Sequence, residues 1–85
     1  MKLRDDFIFE EIDGRPVLVC ISDKWNGIIK CSRSMSIVVT MLREGTDREA
    51  LLKALEGKYE VPTEILSADL ERILNDLQCV GAIES

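Results

Sequence analysis

Residues 27–45 read GIIKCSRSMSIVVTMLREG, and the fold turns on where this stretch stops being a strand. Gly27–Cys31 is short, apolar and strand-like, and Ser32 and Ser34 then interrupt it. A serine hydroxyl accepts from the free amides of a helix's first turn, so either one is a candidate helix cap. Beyond it Met35, Ile37, Val38, Val39, Met41 and Leu42 wrap most of a helical circumference, which predicts a central, largely buried helix. Arg43, Glu44 and Gly45 end it, with glycine where a helix commonly closes.

Upstream, Phe7–Ile12 is rich in β-branched and aromatic residues and runs into Asp13-Gly14, a pair suited to the positive φ angles of a tight hairpin turn. Pro16 then opens a second β-type run, Val17–Ile21, and Asp23–Gly27 reads as a loop before the third strand. Downstream, Thr46–Glu49 has the form of a capping box, followed by a helix with Leu51, Ala54, Leu55 and Tyr59 on one face. Lys58–Pro62 breaks that pattern, because the residue before a proline disfavours helix. Thr63 starts a third helix carrying Leu66, Leu70, Ile73, Leu74 and Leu77 at helical spacing. Gly81 closes it, and Ala82-Ile83 is expected to tuck back onto the core. The predicted order is βββααα: an α+β fold, a three-stranded antiparallel sheet followed by three helices, in one domain spanning residues 1–85.

A chain of 85 residues is too short to fill two cores. With 46% hydrophobic and 32% charged residues it has a globular composition. Its apolar stretches fall well short of the roughly 20 residues that cross a bilayer, and Met1–Asp6 lacks the features of a signal peptide. We therefore expect a cytoplasmic protein without membrane contact. Cys20, Cys31 and Cys79 are widely and irregularly spaced and there is no histidine. Such a set does not supply the clustered soft ligands of a zinc or iron–sulfur site, so neither metal nor cofactor is expected and the thiols read as reduced packing residues.

Catalysis is poorly provided for. The usual general base is missing, and the neighbouring carboxylates Asp5-Asp6 and Glu10-Glu11 would point to opposite faces of a strand. No glycine spacing suits a phosphate cradle. Strands followed by three short helices also raise the winged-helix class, whose third helix reads duplex DNA. Here charge placement decides. Residues 1–45 are neutral, with seven bases and seven acids, whereas residues 46–85 have four bases and nine acids. In Thr63–Cys79, Arg72 stands alone against Glu64, Asp69, Glu71 and Asp76, and a helix of that charge opposes a line of phosphates. What remains is recognition of a protein or peptide. A three-stranded sheet ends in edges whose free N–H and C=O groups are in register for another extended chain.

Three stretches, FIFEEIDGRPVLVCIS, GIIKCSRSMSIVVTMLREGTDREALLKALEGKYEVPTE and ADLERILNDLQCVGAIE, together resemble the pyrroloquinoline quinone synthesis protein D family. The marks are the hairpin ending in Asp13-Gly14, the run Leu42–Thr46, the run Lys58–Val61, Asp69-Leu70, and Leu77 followed by Gly81. The likeness covers nearly the whole chain and includes no catalytic signature. It implies a small winged-helix-like domain, a free-standing recognition element that binds the leader segment of a ribosomally made precursor peptide. It also implies that the domain hands the peptide to a modifying enzyme, often a radical S-adenosylmethionine protein, in natural product biosynthesis.

Carried over, the leader would add as a strand along Gly27, Ile28, Ile29, Lys30 and Cys31. The far wall of its groove would come from Asp69, Arg72, Ile73 and Asp76 of the third helix. Lys30 and Arg33, the bases close to that edge, would meet leader carboxylates, while Ile28 or Ile29 meets an apolar anchor. The chain departs from the family where LNxTGA is common and Cys31–Ser36 stands instead, with Met35 in place of a small residue near the groove. The family's frequent tryptophan near Val39 is also absent. Trp25 sits in the loop before the third strand, read as an anchor over the core, with the peptide site as the other option. Two alternative functions stay open: a winged-helix DNA binder, which the acidic third helix opposes, and an oligomerisation module using the same edge on itself. Monomer and homodimer are both compatible with the sequence.

Overall fold

The computed structural model of the chain describes residues 1–21 and 26–84. Its order is β1 (Lys2–Leu3), β2 (Phe7–Ile12), β3 (Arg15–Ile21), β4 (Asn26–Lys30), α1 (Arg33–Glu44), α2 (Arg48–Lys58), α3 (Thr63–Cys79) and β5 (Ile83–Glu84). The three-stranded antiparallel sheet β2-β3-β4 and the three helices after it are those expected. A second sheet, β1 paired with β5, was not.

The hairpin is set at Asp13 (φ 53°) and Gly14 (φ 76°), both left-handed. A two-residue turn of this kind matches the right-handed twist of the strands it joins, and it pairs Ile12 with Arg15 and Phe7 with Cys20. Register then decides the faces. Phe7, Leu18 and Cys20 turn into the core, and their neighbours Ile8, Val19 and Ile21 turn outward. Pro16 lies second in β3 rather than opening it. It faces Glu11 near the strand end, and its carbonyl accepts from Cys31 at 3.0 Å, so its missing N–H costs the ladder one bond near the end.

Helix α1 is central, as its apolar wrapping predicts. Met35, Val38, Val39 and Leu42 are buried, with Ile37 and Met41 packed against them. Ser32 is the cap, its Oγ accepting from the Met35 amide at 3.1 Å, and Gly45 closes the helix at φ 94°. α2 buries Leu51 and Leu55, and α3 buries the five predicted residues Leu66, Leu70, Ile73, Leu74 and Leu77. The end of α3 is a Schellman motif. Gly81, at φ 77°, donates to the Gln78 carbonyl, and buried Ala82 donates to Leu77. The last carbonyls are thereby satisfied, and the chain turns back to form β5.

One cap differs from expectation. The residue capping α2 is Asp47, whose Oδ1 accepts from the Ala50 amide at 2.8 Å, and not Thr46. Thr46 is held outside the helix by a pair of bonds to Met1: its amide donates to the Met1 carbonyl at 2.9 Å, and its carbonyl accepts from the Met1 amino group at 2.8 Å. With Thr46 fixed there, the first residue free to reach back over the helix start is Asp47. The same stitching explains the small sheet, in which Arg4 donates to Ala82 and Leu3 pairs with Ile83. Residues 2–4 and 82–84 are thereby held side by side.

Losing a helix-capping side chain costs about 1 kcal/mol. Asp47→Ala is expected to lower unfolding free energy in urea by that amount and Thr46→Ala by clearly less. The reverse ranking would restore the capping box.

Candidate functional site

β4 is the edge strand of the larger sheet. It begins one residue earlier than expected, at Asn26, and ends at Lys30, so Asn26 belongs to the strand and not to the loop, and Gly27, where loop and strand were expected to meet, lies inside the strand. Trp25 and the rest of the expected loop lie outside the described residues. Cys31 follows β4 and still holds the ladder through its bond to Pro16.

That bond orients the whole edge. Antiparallel pairs that exchange hydrogen bonds alternate with pairs that do not. Counting back from Cys31 and Pro16, Ile29 and Gly27 direct their N–H and C=O groups to Leu18 and Cys20. Lys30, Ile28 and Asn26 direct theirs away from the sheet. The β3 side agrees, because Ile21 gives its amide to Asp6 on the β2 flank. Among the described residues, no backbone group pairs with this free edge.

Side chains follow the same alternation. Ile29 points inward and packs against the core, while Ile28 is 61% exposed on the outer face. Cys31 is half-buried, with its Sγ 3.7 Å from the Ile29 carbonyl. Burial pushes its thiol above the ordinary range, which disfavours the thiolate a nucleophile needs.

At the end of β4 the chain meets α3. Ser34 donates to Asp69 Oδ2 at 3.3 Å, which ties the start of α1 to the middle of α3. Arg72 pairs with the other oxygen of the same carboxylate. The Asp69 hydrogen bond and charge raise the Arg72 pKa above its already high ordinary value, so it stays a cation. Beside this tie opens a pocket of about 420 Å³ lined by Arg33, Ser34, Tyr59, Val61, Ile65 and Asp69, a volume within the usual range for small binding pockets. It brings Arg33 together with Asp69. Arg72 and Asp76 do not line it. Both are exposed further along α3, and Ile73 is 3% exposed with its side chain in the core. No cluster of metal-binding side chains occurs among the described residues, and no helix among them is long and apolar enough to cross a membrane.

Sequence reasoning missed Val61 and Ile65, which stand 44% and 58% exposed at the mouth of this pocket. A signal was present. Ile65 falls outside the stripe of Leu66, Leu70, Ile73, Leu74 and Leu77, and a large apolar residue off the buried stripe marks a contact surface.

No family model matches the chain, and no curated protein does. Among solved structures, TbiB1 in complex with the TbiA(beta) leader peptide has the same fold, with a TM-score of 0.80. The match covers 100% of this chain and 96% of that one at 24% sequence identity.

A raised pKa leaves less thiolate at any given pH. Cys31 is therefore expected to be alkylated far more slowly than exposed Cys79 at pH 8, and to gain on it only as pH climbs past the normal thiol range. Peptide mapping by mass spectrometry reads both sites; equal rates at pH 8 would show that Cys31 is not screened by its surroundings.

Proposed function

We propose that this chain is a peptide-recognition domain that captures the leader segment of a ribosomally made precursor as an added strand on β4 and presents it to a modifying enzyme. The observation that carries the proposal is the unpaired edge, where Asn26, Ile28 and Lys30 aim their backbone groups outward. Strand addition takes affinity from such groups and selectivity from pockets beside them. The inner side chain Ile29, half-buried Cys31 and the pocket lined by Arg33, Val61, Ile65 and Asp69 flank the added strand on the helix side. Arg72 and Asp76 continue that wall along α3. Ile73 supports it from the core without offering surface.

One comparison and one sequence resemblance support this reading. TbiB1, which shares the fold, was solved with a leader peptide, and the sequence resembles a family of winged-helix-like leader-binding domains. The family's usual partner makes a radical S-adenosylmethionine enzyme the first modifying enzyme to test. The domain itself would perform no chemistry and take no cofactor, and a cytoplasmic location suits a domain that acts where precursor peptides are made. Duplex binding is the weaker reading. The surface of α3 presents Glu64, Glu71 and Asp76, and its one base, Arg72, is already paired with Asp69.

Ile28→Pro separates edge from ladder. It deletes an outward donor and leaves the bonds to β3 intact, as proline on an edge allows. Losing one backbone hydrogen bond of about 1.4 kcal/mol corresponds to roughly ten-fold in affinity. By calorimetric titration with the leader of a precursor encoded beside this chain, Ile28→Pro is expected to bind at least ten-fold more weakly while the domain stays folded. Ile29→Pro, which removes a ladder hydrogen bond to β3 and an inward side chain, is expected to destabilise the domain clearly more than Ile28→Pro does. Full affinity in Ile28→Pro would remove β4 as the site.

A further inference from the structure

The outer face of the sheet, opposite the helices, is unusually apolar for a surface. Ile8, Val19 and Ile28 form one row across the three strands, and Glu10, Val17 and Lys30 form the next. Ile8, Ile12, Ile21 and Ile28 are all exposed. A depression over buried Val17, rimmed by Ile12, Asp13, Arg15, Ile28 and Lys30, runs to the β4 side of this face. Nothing in the described fold covers it.

Its size limits what can. At ~3.3 Å per residue and ~4.8 Å between strands, the paired part of a three-stranded sheet presents roughly 250 Å². A stable protein interface needs about 800 Å² on each partner. The face would be only a small part of an interface with a second copy or a large protein, and it suits the flank of one more strand. In an added strand, each residue paired with Ile28 or Lys30 projects to this same face, with its Cβ about 5 Å away.

Resting on the strand-addition reading above, we infer that the outer face selects the outward side chains of the bound peptide: an apolar residue beside Ile28 and an acidic residue beside Lys30, two positions apart. The first extends the row of Ile8, Val19 and Ile28 to a fourth strand. The second meets a lysine that has no carboxylate in ion-pairing range among the described residues. Glu10 shares its row but stands two strand spacings away across Val17, roughly 10 Å. The domain's net charge of −5 repels acidic peptides in general, so a preference for acid has to come from a local base, and Lys30 is the base that β4 itself carries on this face. The helix-side groove and this outer face thus read alternate residues of the same peptide.

The test is selection of a displayed random 12-residue peptide library on the full chain and on its Lys30→Glu variant, a surface change expected to leave folding intact. Chosen peptides are then measured by fluorescence anisotropy, with amide shifts locating each complex. Wild-type binders are expected to carry the apolar–x–acidic pattern in either chain direction, whereas Lys30→Glu binders keep the apolar residue and replace the acid with Lys or Arg. A wild-type binder is expected to lose about five-fold on Lys30→Glu and to recover when its acid is changed to lysine. Peptides that shift Asn26–Lys30 amides but show the same consensus on both proteins would overturn the outer-face selectivity and leave strand addition standing. If no selected peptide shifts those amides, both readings fall. A concentration-dependent doubling of mass that Ile28→Thr abolishes would assign the face to a second copy and likewise overturn the inference.

Discussion

Everything at the candidate site depends on the register of one three-stranded ladder. Side chains alternate with a period of two, so a one-residue slip would carry Leu18 and Cys20 to solvent and Val19 and Ile21 into the core. The left-handed pair Asp13-Gly14 fixes the first pairing, and complete burial of Leu18 enforces it, since burying one such side chain is worth about 2 kcal/mol. The Cys31 bond to Pro16 carries the register across to β4. Once these are set, it is no longer free which amides of β4 face outward. The outward amides of Ile28 and Lys30 follow from the turn and the core, and the site is built by folding rather than by any reactive group.

The two halves of the chain differ electrostatically. The neutral sheet half holds the β4 edge and exposed Lys30, and the acidic half holds α3. On α3 Asp69 accepts from both Ser34 and Arg72, fixing the start of α1 against α3 at the point where β4 ends. Arg48 pairs with Glu71 between α2 and α3 on another side. Exposed pairs of this kind add little stability. The Ser34–Asp69 bond instead marks where the pocket wall adjoins the end of β4.

The sequence made legible what depends on local rules. The hairpin turn, a serine cap on α1, the Gly45 stop and the apolar stripe of α3 each need only a few neighbouring residues and stand as expected, with Ser32 rather than Ser34 making the cap. Long-range ties were hidden. β1 is two residues long and carries no periodicity, so its pairing with β5 left no mark. Thr46 matched a capping box perfectly well, yet its amide and carbonyl were claimed by Met1, 45 residues away. The edge of β4 could be read from strand order, but the facing of α3 could not. Ile73 belonged equally to a groove and to a core until packing turned it inward, and Ile65 and Val61 went unnoticed because the buried stripe was complete without them.

An open edge is a statement about particular amides, and hydrogen exchange reads them one at a time. In the free protein the Ile28 and Lys30 amides should exchange rapidly, while the Ile29 amide between them stays protected by Leu18. Adding the leader peptide should slow Ile28 and Lys30 by at least ten-fold and leave Ile29 nearly unchanged, with duplex DNA producing no effect. Protection of Ile28 and Lys30 in the free chain, or no protection when the leader is bound, would contradict strand addition at β4.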